Sequence, residues 1–432
     1  LSISTFSLLF SHCHILLSNG EILEDAYLQA TDDKITYIGD KKPQTTTDTI
    51  YDGTNKLLLP GFVNTHSHVP MTLLRSVGAD LPLDRWLNDA IFPMEDKLNK
   101  DWAYSGTLLG IAEMLRSGIT SFSDMYFFGE ARATAVLETG INANLSMGIL
   151  CFDDSSFEKA PMVQETKDLF YAYHNANGGQ VKVDVGLHAE YTSNAKIVKA
   201  VGEYAKEIGA NVHIHLSETK KETQECIARH GKTPTAYFHD LGLFDNITTA
   251  AHCVWLTQQD REILAKKNVF VSHCPISNLK LGSGLADMAS LAQEGVKISI
   301  GTDGVASNDN LNFLEDVKLS AMLQKGLHQD PSLFSAKQTL QMATKNGALA
   351  QNRTNTGALT LGNQADIVVV DYYSLNLLPK TDMLSSLIYA TLPSDIKMTM
   401  VNGKILYQNG EFTTIDIEKV MHEVDRIGKK LY

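Results

Sequence analysis

Two histidines separated by a single residue follow an apolar run near residue 60. In Pro60-Gly-Phe-Val-Asn-Thr-His66-Ser-His68 this spacing places both imidazoles on one side of a strand. Two imidazoles on one side can share a metal ion. The spacing alone indicates little, because the chain repeats it at residues 12 and 14 and at residues 213 and 215. We interpret His12 and His14 as structural, since no acidic or histidine partner lies at a matching strand end.

Further groups that can join such a site follow four later apolar runs. They are His215 with Glu218, then His252, His273 and Asp303. If the runs are parallel strands of one barrel, their carboxyl ends meet, and we expect these groups to converge. Imidazoles combined with a carboxylate suit zinc or iron(II) better than magnesium or calcium. His213 has the same strand parity as His215, but nothing pairs it with a role, and we interpret it as structural.

The groups beside this site have the chemistry of a hydrolase. A bound ion with one open position lowers the pKa of its water, so that hydroxide becomes available near neutral pH. Asp303 can accept the proton of the attacking water, and Glu218 can donate a proton to a ring nitrogen of the substrate. His252 would hold and polarise the water or the developing oxyanion. The predicted reaction is hydroxide attack on an electron-poor sp² carbon with loss of a leaving group such as ammonia.

Repeating β/α units must position these residues. Between Leu57 and Asp303, short apolar or β-branched runs alternate eight times with longer polar or helical segments. The runs are Leu57–Val63, Ile119–Ser123, Ile141–Leu150, Val181–Leu187, Asn211–Leu216, Ile247–Ala251, Val269–Val271 and Lys297–Ile300. This alternation predicts an α/β fold of the TIM type, a (β/α)₈ barrel with its site at the C-terminal ends of the strands.

The two flanks of the barrel show a different pattern. Residues 20–52 and 365–412 carry short alternating runs, and Asn-Gly dipeptides in or beside them are typical of hairpins. Neither flank has enough apolar residues for a domain of its own, so we predict that the two pack together as one small β-sandwich. The chain then divides into residues 1–56 (first part of the sandwich), 57–360 (catalytic barrel) and 361–432 (second part).

Composition excludes several classes of protein. The 432 residues are 44% hydrophobic and 20% charged, as in globular proteins. A net charge of −13 without a basic run disfavours nucleic-acid binding. Five dispersed cysteines without a CxxC pair favour a reducing, cytoplasmic setting. The apolar start lacks a basic region and no window approaches a membrane span, so we expect neither a signal peptide nor a membrane partner. The sequence does not determine whether the protein forms a homo-oligomer.

Several motifs together resemble the amidohydrolase superfamily. They are Pro60–His68, His215–Glu218, Ala251–Trp255, Ser277–Gly284 and Gly301–Asn308. Leu81–Asp89 and Phe92–Asp96 resemble, more narrowly, its methylthioadenosine/S-adenosylhomocysteine deaminase branch. The resemblance extends into the predicted sandwich at Leu361–Asp371 and Val401–Lys404.

The resemblance implies roles for individual residues. It implies one divalent ion, Zn²⁺ by preference or Fe²⁺, bound by His66, His68, His215 and Asp303, with Glu218 and His252 as the acid/base and water-orienting pair. It also implies that Glu95 holds the ribose hydroxyls, that Trp86 lines a nucleoside pocket and that His188 contacts the purine. A packed barrel loop is the alternative interpretation of Trp86 and Glu95.

The implied reaction is hydrolytic deamination of 5′-methylthioadenosine, adenosine or S-adenosylhomocysteine at purine C6, which gives an inosine-type product and ammonia. The alternative prediction is a deaminase of the same fold that acts on guanine, a pterin, cytosine or a triazine. A non-catalytic binding protein on this scaffold would be expected to have lost ligands, whereas every ligand position is intact.

The chain departs from the family pattern at three places. Glu190 replaces a proline and Cys274 an asparagine, and neither change touches the implied ligands. The segment Ser146–Lys159 contains no arginine, whereas members acting on S-adenosylhomocysteine supply arginines for its carboxylate. A carboxylate without a bidentate partner is bound poorly. We therefore expect 5′-methylthioadenosine or adenosine to be preferred over S-adenosylhomocysteine.

Overall fold

This computed structural model describes residues 6–45, 47–153 and 155–432 of the chain. Strands and helices cover most of this part of the chain. In this part the strands are β1 (Ser7–Leu16), β2 (Ile22–Thr31), β3 (Lys34–Gly39), β4 (Thr49–Asp52), β5 (Lys56–Pro60), β6 (Phe62–Ser67), β7 (Ile119–Met125), β8 (Asn142–Ser146), β9 (Val181–Val183), β10 (Val185–Leu187), β11 (Val212–Leu216), β12 (Thr248–His252), β13 (Val269–His273), β14 (Lys297–Ile300), β15 (Ile367–Asp371), β16 (Ile396–Val401), β17 (Lys404–Gln408) and β18 (Glu411–Phe412).

The α-helices of the described residues are α1 (Leu83–Arg85), α2 (Phe92–Glu95), α3 (Lys100–Arg116), α4 (Gly129–Thr139), α5 (Val163–Tyr173), α6 (Ala176–Gly179), α7 (Ala195–Ile208), α8 (Lys220–His230), α9 (Pro234–Asp240), α10 (Gln258–Lys266), α11 (Pro275–Lys280), α12 (Met288–Gln293), α13 (Val305–Asn308), α14 (Phe313–His328), α15 (Ala336–Ala343), α16 (Lys345–Ala350), α17 (Met383–Tyr389) and α18 (Ile417–Leu431). A π-helical turn, Trp86–Ile91, joins α1 to α2.

The strands β6 to β14 form the barrel. They pair in parallel in two arcs, β6-β7-β8-β9 and β10-β11-β12-β13-β14. The fourth barrel strand is divided at Asp184 into β9 and β10, and a bridge between Ile149 and Leu187 connects the arcs. On the other side, the amide of Asp303 donates to the carbonyl of His66 at 3.0 Å, so that the last strand meets the first. The predicted (β/α)₈ barrel is confirmed.

The helix α7 illustrates how the sequence builds the outer layer. The Asn194 side chain accepts hydrogen bonds from two amides of the first turn, and Gly209 ends the helix in a left-handed conformation. Ile197, Val201 and Tyr204 lie on one face, as their spacing predicts, and are buried against the barrel. Burying each such side chain stabilises the fold by about 1.5–3 kcal/mol.

The predicted strand Leu57–Val63 is wrong, because the structure contains two strands there. The strand β5 pairs with β1 and β15 in a separate small sheet, and only β6 belongs to the barrel. The chain crosses between the two sheets at Gly61, where a Cβ would lie 2.0 Å from Thr120 Oγ1. Residues on both sides of this glycine are apolar and buried, so hydrophobicity gives no sign of the break. The proposed domain boundaries stay predictions.

Both ends of the chain contribute to the small sheet. Its strand order is β18-β17-β16-β15-β5-β1-β2-β3, with β4 paired to β1. Residues from both ends, among them Phe10, Leu28 and Met398, form a hydrophobic core of its own. The prediction of one small β-sandwich beside the barrel is confirmed. The helix α18 instead packs against α3 of the barrel, and its Ile427 and Leu431 share a core with Trp86.

Two further features of the described residues concern membrane spans and cysteines. No helix among the described residues is long and apolar enough to cross a membrane. The five cysteines are free and buried. The first half of the apolar start, residues 1–5, lies outside the described residues.

Candidate active site

Four side chains with metal-donor atoms meet at the C-terminal end of the barrel. The Nε2 atoms of His66 and His68 lie 3.3 and 3.2 Å from Asp303 Oδ1, and His215 Nε2 lies 3.3 Å from His68 Nε2. Tetrahedral donors with metal bonds of about 2.1 Å are about 3.4 Å apart, so this spacing fits a metal ion. The buried Nε2 of His66 has no aligned hydrogen-bond partner in the described structure and is available for such a bond.

Hydrogen bonds at the other ring nitrogen orient two of these imidazoles. His68 Nδ1 lies 2.5 Å from the Met125 carbonyl, and His215 Nδ1 lies 2.7 Å from the His188 carbonyl. A carbonyl only accepts, so Nδ1 carries the proton in both rings and Nε2 presents its lone pair to the centre of the group. This is the tautomer that binds a metal through Nε2.

Left-handed backbone at the strand ends turns site residues toward the cavity. The φ angle is +62° at Asp303 and +72° at His252. Non-glycine residues in this conformation store strain and persist only where other contacts hold them. Asp303 is held by hydrogen bonds that its Oδ2 accepts from the hydroxyls of Ser277 at 2.6 Å and Ser307 at 2.8 Å. Its Oδ1 is thereby directed at the histidines.

The carboxylate and two of the three imidazoles are in the protonation states that bind a metal. Burial raises the pKa of Asp303, but the adjacent imidazoles of His66 and His68 outweigh this effect and hold the pKa well below its usual range. Burial lowers the pKa of His66 to about 4 and moves the pKa of His215 well below its usual value. Burial also opposes the charged form of His68, but the Asp303 carboxylate outweighs this effect and raises the pKa of His68 to about 9, so ion binding there would release a proton. A charged carboxylate and neutral imidazoles are the forms that bind a divalent ion.

Glu218 and His252 lie next to the donor group. Glu218 Oε1 accepts a hydrogen bond from Ser283 at 3.1 Å, and its Oε2 lies 3.7 Å from His252 Nε2. His252 Nδ1 lies 2.9 Å from Asn278 Oδ1, which fixes the ring with Nε2 toward the site. Burial raises the pKa of Glu218, which favours its protonated, proton-donating form. The pair therefore has the chemistry of an acid and an oxygen-orienting group.

A cavity in front of this group brings together the residues expected to bind substrate. Its lining includes Trp86, Glu95 and His188 together with Glu218. The Trp86 indole donates to the Val77 carbonyl at 3.0 Å, which fixes the ring as a wall of the cavity. Burial raises the pKa of the Glu95 carboxyl to about 7. Apolar residues form about half of the lining, and most of the rest carry polar groups that can orient a small molecule.

One expected member of the cluster does not join it. His273 is buried, and both of its ring nitrogens lack hydrogen-bond partners among the described residues. The lining of the active-site cavity includes His252 and Asp303 but not His273, and among the described residues His273 belongs to neither group of metal-donor side chains. The expectation that His273 converges with the other groups is therefore wrong.

Several residues that contact and orient the site residues were not predicted from the sequence. His213, interpreted as structural, contacts His66 directly, with 2.9 Å between its Nε2 and His66 Nδ1. The partners of Asp303, His252 and Glu218 named above, Ser277, Asn278 and Ser283, all lie in the motif Ser277–Gly284. The signal that could have found them is the presence of three short polar side chains in the segment that follows the barrel strand β13.

A barrel with this donor group and an adjacent buried acid at its strand ends is typical of metal-dependent hydrolases. The chain belongs to the amidohydrolase family, whose model matches residues 57–406. It is 40% identical over 411 residues to the 5-methylthioadenosine/S-adenosylhomocysteine deaminase of Thermoanaerobacter pseudethanolicus, with 95% of each chain covered. It is 41% identical over 396 residues to the 5′-deoxyadenosine deaminase of Methanocaldococcus jannaschii, with 91% of this chain and 94% of that protein covered.

A solved structure is also similar over almost the full length. The adenosine deaminase from Xanthomonas campestris with bound zinc is 30% identical to this chain and has a TM-score of 0.93. The match covers 99% of this chain and 98% of that structure.

Proposed function

We propose that this protein catalyses the hydrolytic deamination of an adenosine-type nucleoside at purine C6, giving an inosine-type product and ammonia. The observation that carries the proposal is one cavity whose lining includes His68, His215 and Asp303, the buried acid Glu218 and the carboxyl group of Glu95. The fourth donor, His66, lies directly behind Asp303, with 3.3 Å between its Nε2 and Asp303 Oδ1. The relatives named as deaminases of 5-methylthioadenosine, S-adenosylhomocysteine and 5′-deoxyadenosine support this reaction.

The proposed cofactor is a single divalent ion held by His66, His68, His215 and Asp303. Three imidazoles and one carboxylate suit zinc, with iron(II) as the alternative. The zinc bound by the similar adenosine deaminase structure supports zinc. When bound, the ion supplies the Lewis acidity that lowers the pKa of water to near neutrality.

The remaining chemistry belongs to side chains. Glu218, whose pKa is raised by burial, donates a proton to a purine ring nitrogen and makes C6 more electrophilic. The Asp303 carboxylate accepts a proton from the water that attacks C6. His252, oriented by Asn278, hydrogen-bonds to the attacking oxygen. Asp303 passes the proton from the water to the amino group, which leaves as ammonia when the C6–N bond breaks. The oxygen of the water stays on C6 as a carbonyl, and its second proton returns to Glu218.

Three residues are proposed to recognise the nucleoside. Glu95 would accept hydrogen bonds from the two ribose hydroxyls, Trp86 would pack against the nucleoside, and His188 would contact the purine ring. His188 Nδ1 lies 3.1 Å from Thr192 Oγ1, which holds the ring near the cavity. A carboxylate that accepts from vicinal hydroxyls gives charge-assisted hydrogen bonds, which are stronger than neutral ones.

We also propose a preference for nucleosides with a neutral 5′ group. The described lining of the cavity contains no arginine or lysine. Two lysines line the adjoining outer chamber, but Lys221 is paired with Asp84 at 2.9 Å and Lys220 lies over the Trp255 ring. Neither offers the bidentate geometry that a guanidinium gives a carboxylate. Within the segment Ser146–Lys159, Asp154 lies outside the described residues.

Ammonia release by zinc-loaded protein tests the proposal. The substrates are 5′-methylthioadenosine, adenosine, S-adenosylhomocysteine, guanine and cytosine at matched concentrations. We expect activity on the nucleosides only, with S-adenosylhomocysteine lowest in kcat/KM, and loss of nucleoside turnover in Glu95→Ala. Activity on a free base alone would contradict the substrate, and equal kcat/KM for the three nucleosides would contradict the 5′ preference.

A further inference from the structure

A second buried glutamate supports the loop that carries Glu218. Glu222 lies in the first turn of α8, four residues after Glu218, and only 4% of its surface is exposed. Its Oε1 accepts a hydrogen bond from the amide of Ser217 at 3.0 Å, and its Oε2 accepts one from the amide of Glu218 at 2.7 Å. Each oxygen thus fixes one amide of the turn that leads out of β11.

The same turn is fixed from its opposite side. The Ser217 carbonyl accepts hydrogen bonds from the amides of Val254 at 3.1 Å and Trp255 at 2.9 Å, both on the loop after β12. Ser217 itself has a φ of +50°, a left-handed conformation that costs free energy for a residue other than glycine. A strained turn held from both sides sets the direction in which the next side chain leaves the backbone. That side chain is Glu218.

We propose that Glu222 is a positioning residue for catalysis: its carboxylate holds the Ser217–Glu218 turn so that the Glu218 carboxyl group reaches both His252 and the substrate ring. The inference rests on the function proposed above. Two oxygens are required, since two separate amides must be satisfied in a buried place. A glutamine has one accepting oxygen, and its NH₂ group would face an amide that also donates.

A simpler role for Glu222 is to stabilise the start of α8. A glutamate at the third helical position after a threonine cap is typical of helix starts, and Thr219 does accept from the Glu222 amide at 3.1 Å. The chain offers a matched control for this role. Asp260 occupies the same position in α10, is 1% exposed, and accepts from the amide of Thr257 at 2.8 Å. That helix carries no residue of the site.

The test compares Glu222→Gln with Asp260→Asn in zinc-loaded full-length protein. Both variants replace a buried carboxylate by an amide at a helix start, so both should lower Tm. We expect Glu222→Gln to lower kcat for 5′-methylthioadenosine by about 10- to 100-fold, because a small displacement of a catalytic group has effects of this size. Its KM should stay within about twofold and its zinc content at one per chain. Asp260→Asn should keep kcat within about twofold.

The outcomes separate the inference from the proposed function. Unchanged kcat in Glu222→Gln, an equal loss in Asp260→Asn, or loss of zinc would overturn the positioning role while the wild-type activity stands. Wild-type protein that is inactive on every nucleoside would overturn the proposed function and the inference with it. If Glu222→Gln does not fold, Glu222→Asp gives the test, because it keeps the charge but cannot span both amides. Its kcat should fall by at least about tenfold, and wild-type kcat would overturn the inference.

Discussion

Nucleoside binding should weaken as the pH falls through 7, because the proposed sugar-binding residue loses its charge there. Burial raises the pKa of Glu95 to about 7. The ionised form accepts hydrogen bonds at both oxygens and exists above this pKa, whereas the protonated form, which exists below it, accepts them more weakly. Affinity that depends on the carboxylate is therefore present at pH 8 and is lost on the acid side.

The size of the effect follows from the titration. With a pKa of about 7, roughly a tenth of the group is ionised at pH 6 and roughly nine-tenths at pH 8, so KM should rise about tenfold between these values. The rise in KM is limited by the free energy that ionisation of Glu95 adds to the two hydrogen bonds with the ribose. This addition is about 1–1.5 kcal/mol for each bond, which sets a limit of about 30- to 150-fold.

The assay measures KM for adenosine between pH 6 and pH 8.5 and, in parallel, the inhibition constant of adenine, which lacks the sugar. The ratio of the two constants removes the titration of all other groups in the cavity. In Glu95→Gln the ratio of the adenosine KM to the adenine inhibition constant should not change with pH. At alkaline pH this ratio should be higher than that of the wild-type protein. A wild-type ratio that is flat across this range, or a Glu95→Gln ratio that still changes with pH, would refute the assignment of Glu95 to the sugar.

Three further predictions concern the acid, the metal and the support of the site. Glu218→Gln should lower kcat by about 10²- to 10⁴-fold with normal zinc content, and zinc loss would instead place Glu218 among the ligands. His66→Ala should reduce bound zinc well below one per chain, and unchanged stoichiometry in metal analysis would contradict its role as a ligand. Arg132→Met leaves Asp124 buried without its partner at 2.8 Å, and should lower the free energy of unfolding in urea by about 3–5 kcal/mol. A loss below about 1 kcal/mol would be a contrary result.

The donor residues could be predicted because their information is local. A histidine or aspartate directly after an apolar run is at a strand end, and parallel strands of a barrel bring their ends together. His66, His68, His215 and Asp303 all follow this rule. It fails for His273, because the side to which the last strand residue points depends on strand twist and stagger as well as on its place in the sequence.

The supporting contacts could not be predicted, because they join distant segments. Asn278 and His252 are 26 residues apart, and Ser283 and Glu218 are 65 apart. Only the packed barrel shows which short polar side chain reaches which site residue. Trp86 and Glu95 were expected only from the family resemblance, since they lie in a short helical segment without a strong periodic pattern. The break at Gly61 was hidden for a related reason: buried strands in both sheets have the same apolar composition.

Zinc titration into metal-free protein, with ammonia release from 5′-methylthioadenosine as the readout, tests the central claim most directly. We predict no activity without metal, a rise in proportion to added zinc, and a plateau at one zinc per chain that His66→Ala does not reach. Full activity in metal-free protein, or a plateau at two ions per chain, would contradict a single-metal deaminase.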